Sequence, residues 1–139
     1  MEKVWICDID GTLAHNNGHR SFYDESKVFD DSPLPTILVI QSLISSGDNI
    51  IFLSGRTENC REDTTKWLTY HVDINPPTLY MRQKGDNRSD DIVKKEIYET
   101  YIKPYYVVLG VFDDRKKVKR MWVNEGLFVL DCNQHDKEF

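Results

Sequence analysis

Five short apolar runs alternate with four segments of helical periodicity along these 139 residues, and that alternation constrains the fold more than any other feature. The runs Val4 to Asp8, Asn49 to Leu53, Thr78 to Met81, Tyr106 to Phe112 and Leu127 to Asp131 are each bounded by polar, Gly or Pro positions. Near-continuous apolar runs of this length suit the strands of a parallel sheet covered by helices on both faces. The intervening segments predict four helices. The first runs from about Pro33 to Ser46, with Ser32 as cap and Gly47 past its end. The others run from about Cys60 to His71, from near Asp90 to before Pro104, and from Lys116 to Glu125 with Gly126 as the stop. The expected architecture is α/β: a five-stranded, mainly parallel sheet with helices on both faces, in one domain over residues 1–139.

A chain of this size buries roughly two-thirds of its unfolded surface. With 40% hydrophobic and 12% aromatic residues it has the material for a core without disulfides or a structural metal. Cys7, Cys60 and Cys132 are widely spaced with no C-x-x-C, so reduced, mostly structural thiols are expected. The balance of 23 acids against 18 bases, a formal charge of −5, argues against a protein that coats nucleic acid, and leaves open one that touches a strand end. The longest apolar stretch, Leu34 to Ile44, is too short to span a bilayer, and Met-Glu-Lys-Val-Trp has no signal-peptide shape; the expectation is a cytoplasmic protein. Leu13 to Ser32 is irregular and rich in His, Asn, Asp and Ser, and loops of that length inside a compact domain are usually functional.

Chemistry concentrates where the apolar runs end. In Asp8-Ile9-Asp10-Gly11-Thr12 the two acids are two apart in extended chain, hence on one side, at the carboxyl edge of the sheet. One carboxylate there can attack phosphorus while its neighbour protonates the leaving oxygen and then activates water. The plainer reading is a polar strand end entering a turn; a calcium loop fails, because Gly11 is fourth and His19 twelfth. Asp113-Asp114-Arg115 follows Phe112 in the same way, and adjacent acids there suit either a hard divalent cation such as Mg²⁺ or a helix N-terminus. Ser54-Gly55-Arg56 ends the second run and offers a hydroxyl and a guanidinium to a phosphoryl group, or simply a strand-to-helix turn. Asp90 and Lys94 share a helix face, as phosphoryl-handling residues or as an exposed i,i+4 pair.

Taken together and in this order, these motifs resemble the haloacid dehalogenase (HAD) superfamily of aspartate-nucleophile phosphatases. Arg20-Ser-Phe-Tyr23-Asp24, the segment Gly85 to Ile97, and Asp113-Asp-Arg followed by Val118, Trp122 and Gly126 are similar to the 3′-phosphatase domain of bacteriophage-type polynucleotide kinase/phosphatases. The resemblance spans about Lys3 to Asp131 and implies a Rossmann-like HAD fold with minimal or no cap domain. It implies Asp8 as nucleophile, Asp10 as general acid/base, and Ser54 and Lys94 as phosphoryl ligands. Arg20, Arg56, Thr12, Gly55 and Arg88 form the implied substrate-binding set, with Asp90 behind the site. Mg²⁺ is implied on Asp8, the Asp10 carbonyl and the Asp113/Asp114 pair, either of which can be the direct ligand. Two departures stand out: His19 is an extra residue ahead of Arg20, and the tail Asn133 to Phe139 matches loosely and is given no role.

No G-x-x-x-x-G-K-[ST] occurs, so 5′-kinase activity is not expected of this chain. Neither Leu13 to Ser32 nor Arg82 to Ser89 is long enough for a cap domain, and an open site admits a polymer end. Arg20, Arg56, Arg82 and Arg88 all fall on the expected active edge. The basic cluster Lys116, Lys117, Lys119, Arg120 reads as a solvated helix face, and Trp67, Tyr70, Tyr98 and Tyr101 read as core. The leading expectation is a Mg²⁺-dependent phosphatase acting on 3′-phosphorylated DNA or RNA ends, with a separate kinase or ligase as partner in end repair. The alternatives are a nucleotidase or small phosphomonoester phosphatase, and a non-catalytic module binding phosphorylated ends.

Overall fold

In the computed structural model, the apolar runs pair side by side and the segments between them coil over both faces. The structure describes residues 1–21 and 23–134; Phe22 of the Arg20–Asp24 match and residues 135–139 of the tail lie outside it. The elements in chain order are β1 (Glu2–Cys7), β2 (Ala14–His15), β3 (Ser32–Pro33), α1 (Thr36–Ser45), β4 (Asn49–Thr57), α2 (Arg61–Val72), β5 (Thr78–Arg82), α3 (Asp90–Ile97), β6 (Tyr106–Asp113), α4 (Lys116–Asn124) and β7 (Val129–Asp131). Short 3₁₀ turns fill Glu25–Asp30 and Glu58–Cys60, and a wider turn at Tyr98–Ile102 extends α3.

The main sheet has the order β5-β4-β1-β6-β7 and every pairing in it is parallel. Because β1 is followed outward by β4 on one side and by β6 on the other, the connections diverge beside β1, where open α/β sheets hold their ligands.

Alternate side chains feed two cores. Cys7, Ile50, Phe52 and Leu79 meet Ile37, Ile40, Trp67 and Leu68 of α1 and α2 on one face. Val4, Ile6, Ile51, Leu53 and Val111 meet Val93, Ile97, Val118 and Trp122 of α3 and α4 on the other. Each core holds one fully buried tryptophan, and truncating such a ring to alanine costs about 3–5 kcal/mol. The α4 stripe Val118, Met121 and Trp122 is buried as expected. All three cysteines are free thiols; burial pushes Cys7 well above the ordinary range and Cys132 up to about 11.

Three expectations need correction. The first helix does not begin at Pro33. Ser32–Pro33 instead pairs antiparallel with Ala14–His15, the Leu34 N–H donates to the Leu13 carbonyl (2.7 Å), and α1 begins at Thr36. Pro35 disfavours helical geometry at Leu34, so a helix cannot run through from Pro33. Tyr70 is 75% exposed, because it lies opposite the buried α2 stripe Thr64, Trp67, Leu68 and Val72. Tyr101 is half-exposed and stacks on Tyr80 at 5.4 Å, since the wide turn, closed by the Lys103 N–H to the Tyr98 carbonyl, carries it off the buried side.

Among the described residues, no helix is long and apolar enough to cross a membrane. The segment between β1 and α1 is a flap built from the β2–β3 ribbon and the Glu25–Asp30 turn.

Candidate active site

The carboxyl ends of β1, β4 and β6 converge on a cleft of about 840 Å³ whose lining includes Asp8, Asp10, Arg56, Lys94, Asp113 and Asp114. Asp8 leaves β1 with its N–H donating to the Phe112 carbonyl (2.9 Å). Ile9 is fully buried, and its carbonyl accepts from the N–H groups of Thr12, Leu13 and Ala14 (3.2, 2.8 and 3.0 Å), folding the chain back directly after Asp10.

Asp8 belongs to an acid-rich cluster. Its Oδ1 accepts from Lys94 Nζ (2.7 Å) and its Oδ2 from Thr12 Oγ1 (3.0 Å). Lys94 Nζ also donates to Asp113 Oδ2 (3.2 Å), and Thr12 Oγ1 lies 3.4 Å from Asp114 Oδ1. Asp113 is heavily engaged: its Oδ1 accepts from the Asp114 N–H (2.9 Å) and the Arg115 N–H (3.3 Å), its Oδ2 from Trp122 Nε1 (3.2 Å). Burial and the neighbouring Asp113 charge push the Asp8 carboxyl well above the usual carboxylate range, and burial raises Asp114 as well. Burial also works against charge on Lys94, but Asp113, Asp8 and Asp90 outweigh it and hold the ammonium above the ordinary lysine range.

Among the described residues, Asp8, Asp113 and Asp114 each offer an oxygen within 4.8 Å of the others. Three buried carboxylates against one ammonium form an all-oxygen donor set left electrostatically short of positive charge, which is what a hard divalent cation such as Mg²⁺ fits. Gly11 makes the cluster possible, since a Cβ there would fall 2.1 Å from Asp114 Oδ2, and its φ of +81° favours glycine.

Asp10 sits in a different network. Its carboxylate accepts from Arg56 Nε (3.0 Å) and Nη2 (2.7 Å) and from Arg20 Nη2 (3.2 Å). Both guanidiniums also grip Asp31, Arg20 through Nε (2.9 Å) and Nη2 (2.7 Å) and Arg56 through Nη2 (3.0 Å). Arg56 Nη1 donates to Thr64 Oγ1 of α2 (3.1 Å), His19 Nε2 meets Asp31 Oδ1 (2.8 Å), and Trp67 Nε1 donates to the Asp31 carbonyl (2.9 Å). The extra residue His19 therefore does not displace Arg20 from the site; both converge on Asp31. Burial alone would raise Asp31, but Arg20, His19 and Arg56 together hold it below the usual carboxylate range.

Asp90 forms a third knot, paired with Arg82 on one oxygen and with Arg115 Nη1 (2.6 Å) on the other. It lies so close to the β4 bulge that a Cβ on Gly55 would fall 2.6 Å from Asp90 Oδ1. Ser54 is buried, with its Oγ accepting from the Arg56 N–H (3.0 Å). Arg88 is at the cleft mouth, exposed and paired with Asp86 (2.8 Å) and Glu96 (2.7 Å). Asp90 and Lys94 are not an exposed pair: Lys94 turns to the buried Asp8 and Asp113, and Asp90 to Arg82 and the half-buried Arg115.

Three participants were not singled out by the sequence. In the sequence Asp31 is indistinguishable from Asp24 and Asp30 in an acidic loop, Trp122 enters as a core residue and as part of the family resemblance, and Arg115 only as part of a motif. No local pattern marks Asp31; it is found only when the flap folds back over Arg20 and Arg56.

The family of the polynucleotide kinase PNKP phosphatase domain matches residues 2–137 of this chain. A protein named as a bifunctional polynucleotide kinase/RNA ligase in Autographa californica nuclear polyhedrosis virus is 39% identical over 123 residues, covering 86% of this chain and 18% of its own length. Solved chains of the Pnkp1/Rnl/Hen1 complex and of the Pnkp1/Rnl/Hen1 RNA repair complex superpose with TM-scores of 0.90 and 0.89 at 36% identity, over 99% of this chain and 48% and 44% of theirs. The chain thus spans under a fifth of the viral relative and less than half of those solved chains. The class C acid phosphatase from Bacillus anthracis, at 14% identity and a TM-score of 0.67 over 96% of this chain and 68% of its own, shares the fold. With the fold, the acid cluster and the family match in agreement, this chain belongs to the polynucleotide kinase PNKP phosphatase domain family, HAD-type phosphatases on a Rossmann-like α/β sheet.

Proposed function

We propose that this chain is a Mg²⁺-dependent phosphatase that removes 3′-phosphates from DNA or RNA ends through an aspartyl-phosphate on Asp8. The observation that carries the reading is the different setting of the two acids: Asp8 lies among Lys94, Thr12 and Asp114, whereas Asp10, one residue beyond Ile9, is held by Arg20 and Arg56. An Asp8 oxygen bonds phosphorus as the ester P–O bond breaks, and Asp10 gives its proton to the departing 3′ oxygen. Asp10 then takes a proton from the water that attacks phosphorus, and the P–O bond to Asp8 breaks, releasing inorganic phosphate and restoring the carboxylate. Lys94, Ser54 and the N–H groups around Gly55 would hold the phosphoryl oxygens. Mg²⁺, on Asp8, the Asp10 carbonyl and Asp114, would offset the charge of the phosphoryl group; Asp114 is preferred to Asp113 because Asp113 already accepts from four donors. The open cleft and small flap favour a polymer end over an enclosed metabolite. The likeness to chains of an RNA repair complex supports work beside a separate ligase or kinase.

The test measures phosphate release with Mg²⁺ from 3′-phosphorylated DNA and RNA oligonucleotides, a 3′-mononucleotide, a 5′-mononucleotide and an aryl phosphate. An oligonucleotide is expected to be the best substrate, with release abolished by chelation and by Asp8→Asn. An oligonucleotide no better than the mononucleotides overturns the end-healing reading, and full turnover by Asp8→Asn overturns the aspartyl-phosphate.

A further inference from the structure

The cleft is far larger than one phosphoryl group needs, and what lines its mouth differs from what lines its floor. Among the described residues, seven acids and five bases line it, and each of those bases already bonds an acid: Arg56 with Asp10, Lys94 with Asp8 and Asp113, Arg82 and Arg115 with Asp90, Arg88 with Asp86 and Glu96. A polyanionic strand arriving here meets no surplus of cations, so affinity for the nucleotide behind the phosphate needs a contact that is not charge neutralisation.

The mouth supplies one. Tyr23 is 89% exposed and lines the cleft near its rim, on the flap. The loop that carries it is fastened on both sides. Arg20 Nη1 donates to the carbonyls of Ser21 (3.3 Å) and Asp24 (3.4 Å), and the Tyr23 N–H donates to Ser21 Oγ (3.2 Å). On the far side, the Glu25 carboxylate accepts from the N–H (2.8 Å) and the hydroxyl of Thr57, at the end of β4. Arg20 is also the side chain that grips Asp10, so a single guanidinium links the acid to the loop bearing the aromatic ring. A large, mostly exposed aromatic side chain on a tied loop at the mouth of a reaction cleft has the properties of a stacking platform.

We propose that Tyr23 stacks on the nucleobase of the 3′-phosphorylated terminal nucleotide and is the residue by which the site prefers polynucleotide ends to small phosphomonoesters. This rests on the function proposed above. Stacking of this kind accepts any base, so the preference it creates is for a base-bearing end and not for a sequence.

The experiment compares the unaltered chain with Tyr23→Ala and Tyr23→Phe. Two oligonucleotides, each 3′-phosphorylated, serve as substrates: one ends in an ordinary nucleotide, the other in a baseless tetrahydrofuran sugar. On the ordinary end, Tyr23→Ala is expected to raise KM roughly 5- to 100-fold with kcat unchanged, the signature of lost uniform binding, while Tyr23→Phe stays near the unaltered chain. On the baseless end all three proteins are expected to be equally weak. Efficient turnover of the ordinary end with Tyr23→Ala unchanged overturns this inference alone. An equal loss on both ends by Tyr23→Ala also overturns it, since the ring then acts on the flap and not on a base. No preference of the unaltered chain for the ordinary oligonucleotide over glycerol phosphate overturns the inference together with the proposed function.

Discussion

Asp31→Ala removes the hub of the Asp10 network, and its cost can be worked from the geometry. The Asp31 side chain is fully buried, and Arg20 and Arg56 are exposed by only 2% and 3%. Two guanidiniums here face two carboxylates, so deleting Asp31 leaves a net buried positive charge, with Asp10 as the remaining acid for both. Removing one partner of a buried ion pair costs about 3–5 kcal/mol, which is a large part of a stability of about 5–15 kcal/mol. Asp31→Ala is therefore expected to lower the free energy of unfolding at pH 7 by about 3–5 kcal/mol. Urea titration followed by circular dichroism and by tryptophan emission reads this directly, Trp67 being bonded to the Asp31 carbonyl. The pH dependence gives an independent check. The folded-state pKa of Asp31 is held below its unfolded value of about 3.9, so its contribution is complete above that value and disappears as pH falls through the lower, folded value. The gap between the native chain and Asp31→Ala should be constant from neutral pH down to about pH 5 and should close below about pH 4. Phosphate release should fall through kcat more than through KM, because Asp10 loses its orientation and the cleft keeps its shape. A loss under about 1 kcal/mol, or a gap that persists unchanged at pH 2 to 3, would refute the reasoning.

Two further substitutions probe the other knots. Gly55→Ala places a Cβ 2.6 Å from an Asp90 oxygen that Arg82 and Arg115 hold in place, so overpacking of about 1–3 kcal/mol is expected, with loss of phosphate release; a native melting temperature together with native turnover would contradict the geometry. Trp122→Phe deletes the indole N–H that reaches Asp113 Oδ2 at 3.2 Å inside the α3/α4 core, and should cost about 1–3 kcal/mol in urea unfolding; an unchanged midpoint would show that the bond contributes nothing.

The strands and the order of the motifs were legible because they depend on local pattern. Val4 to Cys7 and Val111 to Phe112 are apolar without interruption since helices cover both of their faces, and Asp8 and Asp113 follow at once because each strand ends at the open edge. What stayed hidden depends on approach between distant segments. The start of α1 was misplaced because Ser32–Pro33 answers to Ala14–His15, eighteen residues earlier, and not to the capping pattern around it. Arg56, Arg82 and Arg88 line the cleft and Arg20 reaches Asp10 from the flap, but spacing could not say that each of them bonds an acid there. Asp31 was invisible for the same reason: a carboxylate becomes a hub only when two buried guanidiniums come to it.

The separation of Asp8 from Asp10 runs deeper than the cleft. Two residues apart, their carboxylates turn to different partners: Asp8 bonds Lys94 of α3 and Thr12, while Asp10 bonds Arg56 of β4 and Arg20 of the flap. Each network then reaches a different core through one indole. Trp122 of the α3/α4 core donates to Asp113, which shares Lys94 with Asp8. Trp67 of the α1/α2 core donates to the carbonyl of Asp31, which shares both arginines with Asp10. Burying a charge is affordable only with partners in place, and here the partners of each acid are themselves anchored in packed side chains that tolerate little displacement. A parallel sheet has two covered faces, and this one uses both, fixing one acid of the pair from each face while Ile9, fully buried between them, sets their spacing.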